Sequence, residues 1–321
     1  MQGEDVAVYI HVDDFGIQAA KHHVANEIAE LIQKDSLATG LPAKRKPVGT
    51  VDQFIGLKPV ARPPSWEPIA TKLGGVELAI VQLLQRYWVD LRWVHQVVSQ
   101  FVYLAFLWRP GLSAPHALFQ QIRLGGRRKL WASCRAEFKL MLGFLPFCRA
   151  RLDRETVPLA LAQDAAGPAG RECHSPTGAY CLAVGRVPAS ELDSVLRCRD
   201  VRSKVVVPTP VMGLTPKTLK EVRGEGALGR TVLPLAWFTE GADWTLILAR
   251  RWKGLVDIHI GEIKAATLWL RLMMLVGVEA GRRALTISDN LAAVCSQVKG
   301  RAHDYVLNAE CGKRAAYEAV T

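Results

Sequence analysis

The chain has 321 residues, 50% of them apolar and 22% charged, a composition typical of folded globular proteins and unlike that of disordered or low-complexity chains. That length allows two domains or one large one. Lysine and arginine outnumber aspartate and glutamate by 41 to 30, which favours a polyanionic partner. Residues 101–150 are the most positive segment, with eight basic side chains and one acidic side chain.

Cysteine usage and hydropathy bear on the compartment. Seven cysteines are scattered without CxxC pairs, a usage that fits reduced intracellular thiols. No basic segment followed by an apolar stretch opens the chain, so we expect no secretory signal. Charged residues interrupt the most apolar region, residues 76–108, and make a membrane span costly. We therefore expect an intracellular protein of the cytoplasm or nucleus.

The first half of the chain predicts a β-hairpin followed mainly by helices. Residues 6–17 form a β-rich run with two adjacent aspartates at its middle, which predicts a hairpin with the aspartates at its turn. An amphipathic helix is predicted over residues 20–35, a short strand over 51–60 and a linker over 62–64. Further helices are predicted over residues 75–91, 93–108 and 127–147.

From residue 157 the pattern changes to short strands followed by helices. Strands are predicted over residues 157–162, 178–184 and 244–252, a long helix from 259, a strand over 283–288 and a helix over 291–298. This order is typical of an α/β domain. The stretch 186–232, rich in Pro, Gly, Arg and Lys, is predicted to be an insertion or a long loop.

Three acidic residues of this second half occupy positions from which their side chains can converge. Asp164 follows the first predicted strand, Glu262 falls in the first turn of the long helix, and Asp289 follows the fourth strand. Carboxylates at neighbouring strand ends and a helix start suit two magnesium ions, which prefer oxygen ligands and can cleave a phosphodiester. The alternative is structural, because Asp favours turns and Glu complements a helix dipole.

The segments around these acids resemble the ribonuclease H domain of retroelements. The turn LAQDAAG at 161–167 is similar to the opening of that domain, and IHIGEIKAA at 258–266 resembles its helix motif. The run TISDNLAAV at 286–294 resembles its third motif. This resemblance implies a nuclease that uses Mg²⁺ or Mn²⁺ at Asp164, Glu262 and Asp289. The family's fourth acid is not evident, with Asp304 or His303 as candidates.

The opening hairpin resembles the active-site hairpin of reverse transcriptases. That family's Tyr-x-Asp-Asp motif stands here as His11-Val12-Asp13-Asp14, so the resemblance implies that Asp13 and Asp14 are catalytic metal ligands. A glycine-proline turn near Lys44 and Lys46 and the run QFIGL at 53–57 look like later palm motifs. Since only ten residues precede His11, the resemblance also implies an incomplete palm and an inactive polymerase half.

We therefore expect an α/β (α+β) protein from a retrotransposon polyprotein (LTR or DIRS-like). The expected domains are the end of a reverse transcriptase palm (1–62), a helical thumb and connection (63–155), and a ribonuclease H-like domain with a mixed sheet (156–321). The expected partner is RNA, DNA or an RNA–DNA hybrid, without a membrane. The alternatives are a catalytically inactive nucleic-acid-binding remnant and a ribonuclease H-fold module for protein contacts.

Basic and aromatic residues are the remaining candidates for nucleic-acid contact. Phosphate binding is predicted for Arg127, Arg128, Lys129, Lys44 and Lys46. Trp131 follows the first of these runs and could stack on a base. Four other tryptophans fall at apolar helix positions and are predicted to be core residues: Trp88, Trp93, Trp108 and Trp269.

Overall fold

The computed structural model describes residues 6–11, 14–19, 21–40, 55–167, 177–188, 192, 244–276 and 281–320. These residues form helices and small sheets, so the predicted mixed class is confirmed. In these ranges, no helix combines the length and the apolar character that a membrane crossing needs.

The described part begins with the predicted hairpin and helix. β1 (Val6–His11) pairs antiparallel with β2 (Asp14–Ala19), and His11 lies opposite Asp14. The helix α1 (His22–Ala38) follows and is longer than predicted. Both elements are therefore confirmed.

A small antiparallel sheet replaces the predicted linker. Its strands are β3 (Leu57–Ala61), β4 (Pro64–Pro68) and β7 (Ala150–Arg151). The linker predicted over residues 62–64 is wrong, because Ala61 pairs directly with Pro64 and the chain turns back between β3 and β4. Pro64 is tolerated because it occupies the first position of β4, and Pro59 is tolerated because β3 is an edge strand.

Four helices enclose the largest apolar core. They are α2 (Ala70–Gln85), α3 (Leu91–Ala105), α4 (His116–Ile122) and α5 (Ala132–Phe144). Burial of large side chains stabilises this packing. The largest fully buried side chains contributed by the four helices are Ile80, Leu91, Phe101, Leu104, Leu118, Phe138 and Met141.

Two short strands interrupt the predicted helices. β5 (Trp88–Asp90) pairs antiparallel with β6 (Arg127–Lys129). The predicted helices over 75–91 and 127–147 are therefore wrong at these ends, since α2 stops at Gln85 and α5 starts at Ala132. A three-residue strand shows too little periodicity in the sequence to compete with a helical interpretation.

Two of the four tryptophans predicted to be core residues lie at the surface instead. Trp88 and Trp93 are 52% and 51% exposed, whereas Trp108 and Trp269 are buried. Strand alternation explains Trp88, because its neighbour Val89 points into the core and is 2% exposed.

The second half of the chain forms a mixed sheet of four strands. They are β8 (Thr156–Ala166), β9 (Ala179–Arg186), β10 (Trp244–Arg251) and β11 (Arg283–Ile287). Their order in the sheet is β10–β9–β8–β11. β8, β9 and β10 pair antiparallel, whereas β11 pairs parallel with β8. The predicted insertion over 186–232 lies almost entirely outside the described residues.

Three helices accompany this sheet. α6 (Ile258–Leu275) packs against β8 and β9, and Trp269 donates a hydrogen bond from Nε1 to the carbonyl of Ala162 at 3.2 Å. α7 (Leu291–Lys299) and α8 (Tyr305–Val320) follow. The sequence did not lead us to expect α8.

α8 joins the sheet region to the helical core. Its Ala315 belongs to the helical core, whereas Cys311 packs with Ile263 of α6. The buried Asn308 donates from Nδ2 to the carbonyl of Ser113 at 2.8 Å. These contacts fix the helix against both regions.

Candidate metal centre

Asp164 enters the site from the central strand of the mixed sheet. It lies in β8, where its backbone is opposite Cys181 of β9. The strand runs beyond the predicted end to Ala166, so Asp164 belongs to the strand itself. Its side chain is exposed between the buried Gln163 and Ala165, as expected from the alternation of a strand.

Glu262 enters from α6. The helix begins at Ile258 and is capped by the Asp257 carboxylate, which accepts from the amide of His259 at 3.0 Å. Glu262 is therefore the fifth residue of the helix, and its predicted place in the first turn is wrong. Only 1% of this residue is exposed. A buried carboxylate needs hydrogen-bond partners or a cation.

A glycine brings α6 close to β8. A methyl group at Gly261 would lie 3.2 Å from Cβ of Ala165 and 3.5 Å from Nε1 of Trp252, so a larger residue there would push the helix away. The close approach lets the Ala165 amide donate to Oε1 of Glu262 at 2.7 Å.

Ser288 supplies the second hydrogen bond to the buried carboxylate. Its hydroxyl donates to Oε2 of Glu262 at 3.0 Å. Both carboxylate oxygens are therefore held in place, and each keeps accepting capacity for a further partner. We assigned no role to Ser288 from the sequence. The one sequence feature that points to Ser288 is its position, a polar residue between a predicted strand and the acidic residue Asp289.

Asp289 lies just beyond β11, in the turn that leads to α7. Asn290 caps that helix, because its Oδ1 accepts from the amide of Ala293 at 3.0 Å. The Asn290 amide also faces the imidazole of His259, with Nδ2 3.0 Å from Nδ1 of that ring. These contacts fix the turn that carries Asp289 and join it to the first turn of α6.

The three acids meet at one place. One carboxylate oxygen from each of Asp164, Glu262 and Asp289 lies within 4.8 Å of the others, with Glu262 buried and both aspartates exposed. Burial raises the pKa of Glu262 to about 7, the hydrogen bonds from Ala165 and Ser288 oppose that rise, and the charges of the two aspartates add to it.

The chemistry of this donor set fits a hard divalent cation. All three groups offer carboxylate oxygens, which Mg²⁺ and Mn²⁺ prefer. In the part of the chain that the structure describes, none of the ion pairs involves these carboxylates. A cation would therefore compensate negative charge that none of the described basic side chains neutralises. The structure thus contains an acidic triad that could hold a metal ion.

Among the described side chains, no further acidic candidate belongs to this cluster. The carboxylate of Asp304 accepts from the amide of Leu307 at 2.9 Å, so it caps α8 and is not part of the triad. Asp13 lies outside the described residues. Asp14 lies in β2 with only its backbone described.

The basic candidates fall into two groups. Lys44 and Lys46 lie outside the described residues. All three residues of β6, Arg127, Arg128 and Lys129, are exposed. Arg128 donates from Nε to the carbonyl of Gly125 at 3.0 Å, so part of its guanidinium is engaged within the protein.

The chain matches no protein-family model and no curated protein. The position and chemistry of the acidic triad are therefore the basis on which a function is assigned. The exposed aspartates leave the triad accessible from solvent, as an external substrate requires.

Proposed function

We propose that the chain is a metal-dependent nuclease of the ribonuclease H type, which cleaves the RNA strand of an RNA–DNA hybrid. The observation that carries this proposal is the meeting of Asp164, Glu262 and Asp289 within 4.8 Å. They come from a strand, a helix and a turn that are far apart in the sequence. The mixed sheet below them, with one parallel pair, supports the proposal.

The protein's part in this chemistry is to hold the three carboxylates in place. The amide of Ala165 and the hydroxyl of Ser288 fix the buried Glu262, so its orientation does not depend on a ligand. Asp164 and Asp289 face solvent, where a phosphodiester can approach. When bound, Mg²⁺ or Mn²⁺ supplies charge neutralisation at the phosphate and activation of water.

The order of the sequence motifs supports a wider proposal about lineage. We infer a retrotransposon reverse transcriptase origin because a Tyr-x-Asp-Asp-like hairpin precedes the three ribonuclease H-like motifs. The backbone pairing of β1 with β2 is compatible with such a hairpin. In the described residues, the acids of the ribonuclease H-like motifs form a cluster.

A second candidate function is nucleic-acid binding or protein contact without catalysis. Both oxygens of Glu262 accept hydrogen bonds within the protein, and the pKa of this buried group is raised to about 7. A neutral buried carboxyl that joins α6 to β8 and β11 would have a purely structural role. This candidate predicts that Glu262→Gln changes stability but no activity.

Cleavage of a labelled hybrid distinguishes the two candidates. The full chain is incubated with a hybrid labelled on its RNA strand, in Mg²⁺ or Mn²⁺. We expect wild type to cut the RNA and Glu262→Gln to lose more than about 1000-fold of the rate, because one missing member disables a catalytic unit. Glutamine preserves the size of the side chain: its Oε1 can accept from the Ala165 amide, and its Nε2 can donate to the Ser288 hydroxyl.

The matched control is Glu155→Gln. Glu155 is 76% exposed in its pair with Arg282 and lies outside the triad, so this variant should cut like wild type. Equal cleavage by the Glu262 and Glu155 variants would contradict the nuclease proposal. A folded wild type that cuts neither the hybrid nor either single strand would favour the non-catalytic candidate.

A further inference from the structure

A short β-ribbon on the surface of the helical region concentrates aromatic rings. We name residues 86–93 and 127–131 the basic-aromatic ribbon; they include β5 and β6. Four large rings of this ribbon are well exposed: Tyr87 58%, Trp88 52%, Trp93 51% and Trp131 41%. Exposed apolar surface gathered at one place marks an interaction site more often than isolated exposed residues do.

The ribbon is also strongly positive. It contains five basic residues and one acid, Asp90. That acid is compensated within the ribbon, because Nη2 of Arg92 lies 2.8 Å from Oδ2 of Asp90. The basic residues that remain are Arg86, Arg127, Arg128 and Lys129. Such a surface attracts a polyanion and repels a basic partner.

Rings and cations lie side by side. Trp88 pairs across the strands with Lys129, so both side chains are on the same outer face. Nζ of Lys129 lies 4.5 Å from the centre of the Tyr87 ring, and Cζ of Arg86 lies 5.1 Å from the centre of the Trp93 ring. A base stacked on these rings would therefore have a cation within reach of its own phosphate.

Hydrogen bonds of Arg135 and Gln121 hold the ribbon in shape. Arg135 donates to the carbonyls of Leu84 and Arg86, both at 2.7 Å. The side-chain amide of the fully buried Gln121 donates to the carbonyl of Lys129 at 2.7 Å and accepts from the amide of Trp131 at 3.2 Å. The aromatic platform is thus organised without a ligand, which reduces the entropy cost of binding.

We propose that the basic-aromatic ribbon binds unpaired nucleic acid. Bases stack on Trp88 and Trp93, and the phosphates between them contact Lys129 and Arg127. The aromatic rings favour binding of a single strand over a duplex, since only unpaired bases offer their faces to a side chain. The proposal goes beyond the hybrid cleavage assigned to the acidic triad and requires no metal.

Fluorescence anisotropy tests the proposal on the full chain in EDTA. The probes are a fluorescein-labelled 12-nucleotide oligo(dT) and a duplex of equal length. We expect Trp88→Ala to weaken oligo(dT) binding about tenfold, as loss of one stacked base does, and duplex binding less than about twofold. Lys129→Gln should lower the slope of log affinity against log salt by about 0.7 for the single strand.

The matched control is Phe106→Ala. Phe106 is 59% exposed and caps the far end of α3, the helix that carries Trp93 near its start. About 13 residues of helix separate the two rings by roughly 20 Å. This variant should bind oligo(dT) like wild type. Equal losses for Trp88→Ala and Phe106→Ala, or equal losses on oligo(dT) and duplex, would overturn the proposal.

A spectroscopic measurement covers the case in which Trp88→Ala does not fold. Stacking quenches tryptophan emission, so oligo(dT) should quench the wild type, and Trp88→Phe should remove part of that quenching while it keeps most of the affinity. Unchanged quenching in Trp88→Phe would overturn the proposal. All these assays omit metal, so failed hybrid cleavage and failed single-strand binding remain separate results.

Discussion

The acidic triad draws its side chains from three elements far apart in the sequence, whereas the basic-aromatic ribbon is assembled from two short segments that pair with each other. In the triad, the buried Glu262 has two hydrogen bonds and no basic partner among the described residues, and burial raises its pKa. In the ribbon, Asp90 is partly exposed and is hydrogen-bonded to Arg92, which lowers its pKa.

The difference shows how each region can bind a charged ligand. The triad carries uncompensated negative charge in a partly dry site, where a cation gains most from binding. The ribbon carries positive charge in full contact with water, where salt screens each pair. We therefore expect the triad to respond to metal and pH, and the ribbon to respond to ionic strength.

The largest expected difference between the acidic triad and the basic-aromatic ribbon is the effect of metal on the free energy of unfolding. At pH 8, where Glu262 is ionised, Mg²⁺ binding should raise the free energy of unfolding of wild type by about 1.4 kcal/mol for each tenfold increase above its Kd. Glu262→Gln should lose this response, and Lys129→Gln should keep it. Chemical denaturation across a magnesium series measures all three.

A magnesium response that survives in Glu262→Gln would place the cation elsewhere. The ribbon variant controls for general ionic effects, because its charge change lies outside the triad. Titration with NaCl at matched ionic strength should leave the difference between wild type and Glu262→Gln unchanged.

The pH dependence of stability without metal is the next largest effect. The folded chain holds the Glu262 proton up to about pH 7, whereas an ordinary glutamate releases it near 4.5. The folded state therefore binds more protons between these values, and wild type loses stability as the pH rises from about 4.5 to 7. Glu262→Gln has no ionisable group at this position and should be more stable than wild type by about 3 kcal/mol at pH 8.

Thermal unfolding of both proteins in EDTA from pH 4.5 to 8 measures this difference. It should shrink to a few tenths of a kcal/mol near pH 4.5, where Glu262 is protonated in the folded state and half protonated in the unfolded state. Asp90→Asn is the comparison from the ribbon, and its stability difference from wild type has the opposite sign. Because the pKa of Asp90 is lowered in the folded state, Asp90 stabilises wild type above the ordinary aspartate pKa of about 3.8. A pH-independent difference for Glu262→Gln would contradict the burial of this group.

The two regions also differ in how far the sequence predicts them. The sequence predicts that the three acids lie close together, because strand ends and helix starts are positions that local patterns define. Their exact places differ, since Asp164 lies within β8 and Glu262 lies beyond the first turn of α6. The hydrogen-bond partners of these acids could not be predicted from the sequence, since the amide of Ala165 reaches Glu262 only when α6 packs on β8. The helix α8 was not predicted from the sequence, although its Cys311 and Ala315 are buried.

The ribbon was predicted less well for a physical reason. Arg127, Arg128 and Lys129 are good helix formers, and only their pairing with β5 holds them as a strand. That pairing turns Val89 inward and Trp88 outward, so Trp88 is exposed although an apolar helical run predicts that it is buried. Side-chain burial in a short paired segment depends on register, and register depends on a partner that is distant in the sequence.

The smallest expected effect concerns the contact that builds the triad. Gly261→Val places a branched side chain where even one methyl group would lie 3.2 Å from Cβ of Ala165. We expect a loss of about 1 kcal/mol of stability, because crowding outweighs the few tenths gained in helix propensity. The displaced helix should also weaken the Ala165 hydrogen bond to Glu262, and so raise the pH needed for the magnesium response.

Gly74→Val is the matched control in the helical region. Gly74 lies in the exposed face of α2 with no atom within 4 Å of an added methyl group, so the same substitution there should gain a few tenths of a kcal/mol and leave the magnesium response at its original pH. Denaturation of both variants with and without Mg²⁺ gives the comparison. If Gly261→Val stabilises the chain as Gly74→Val does, then α6 does not depend on a close approach to β8, and the orientation of Glu262 must come from Ser288 alone.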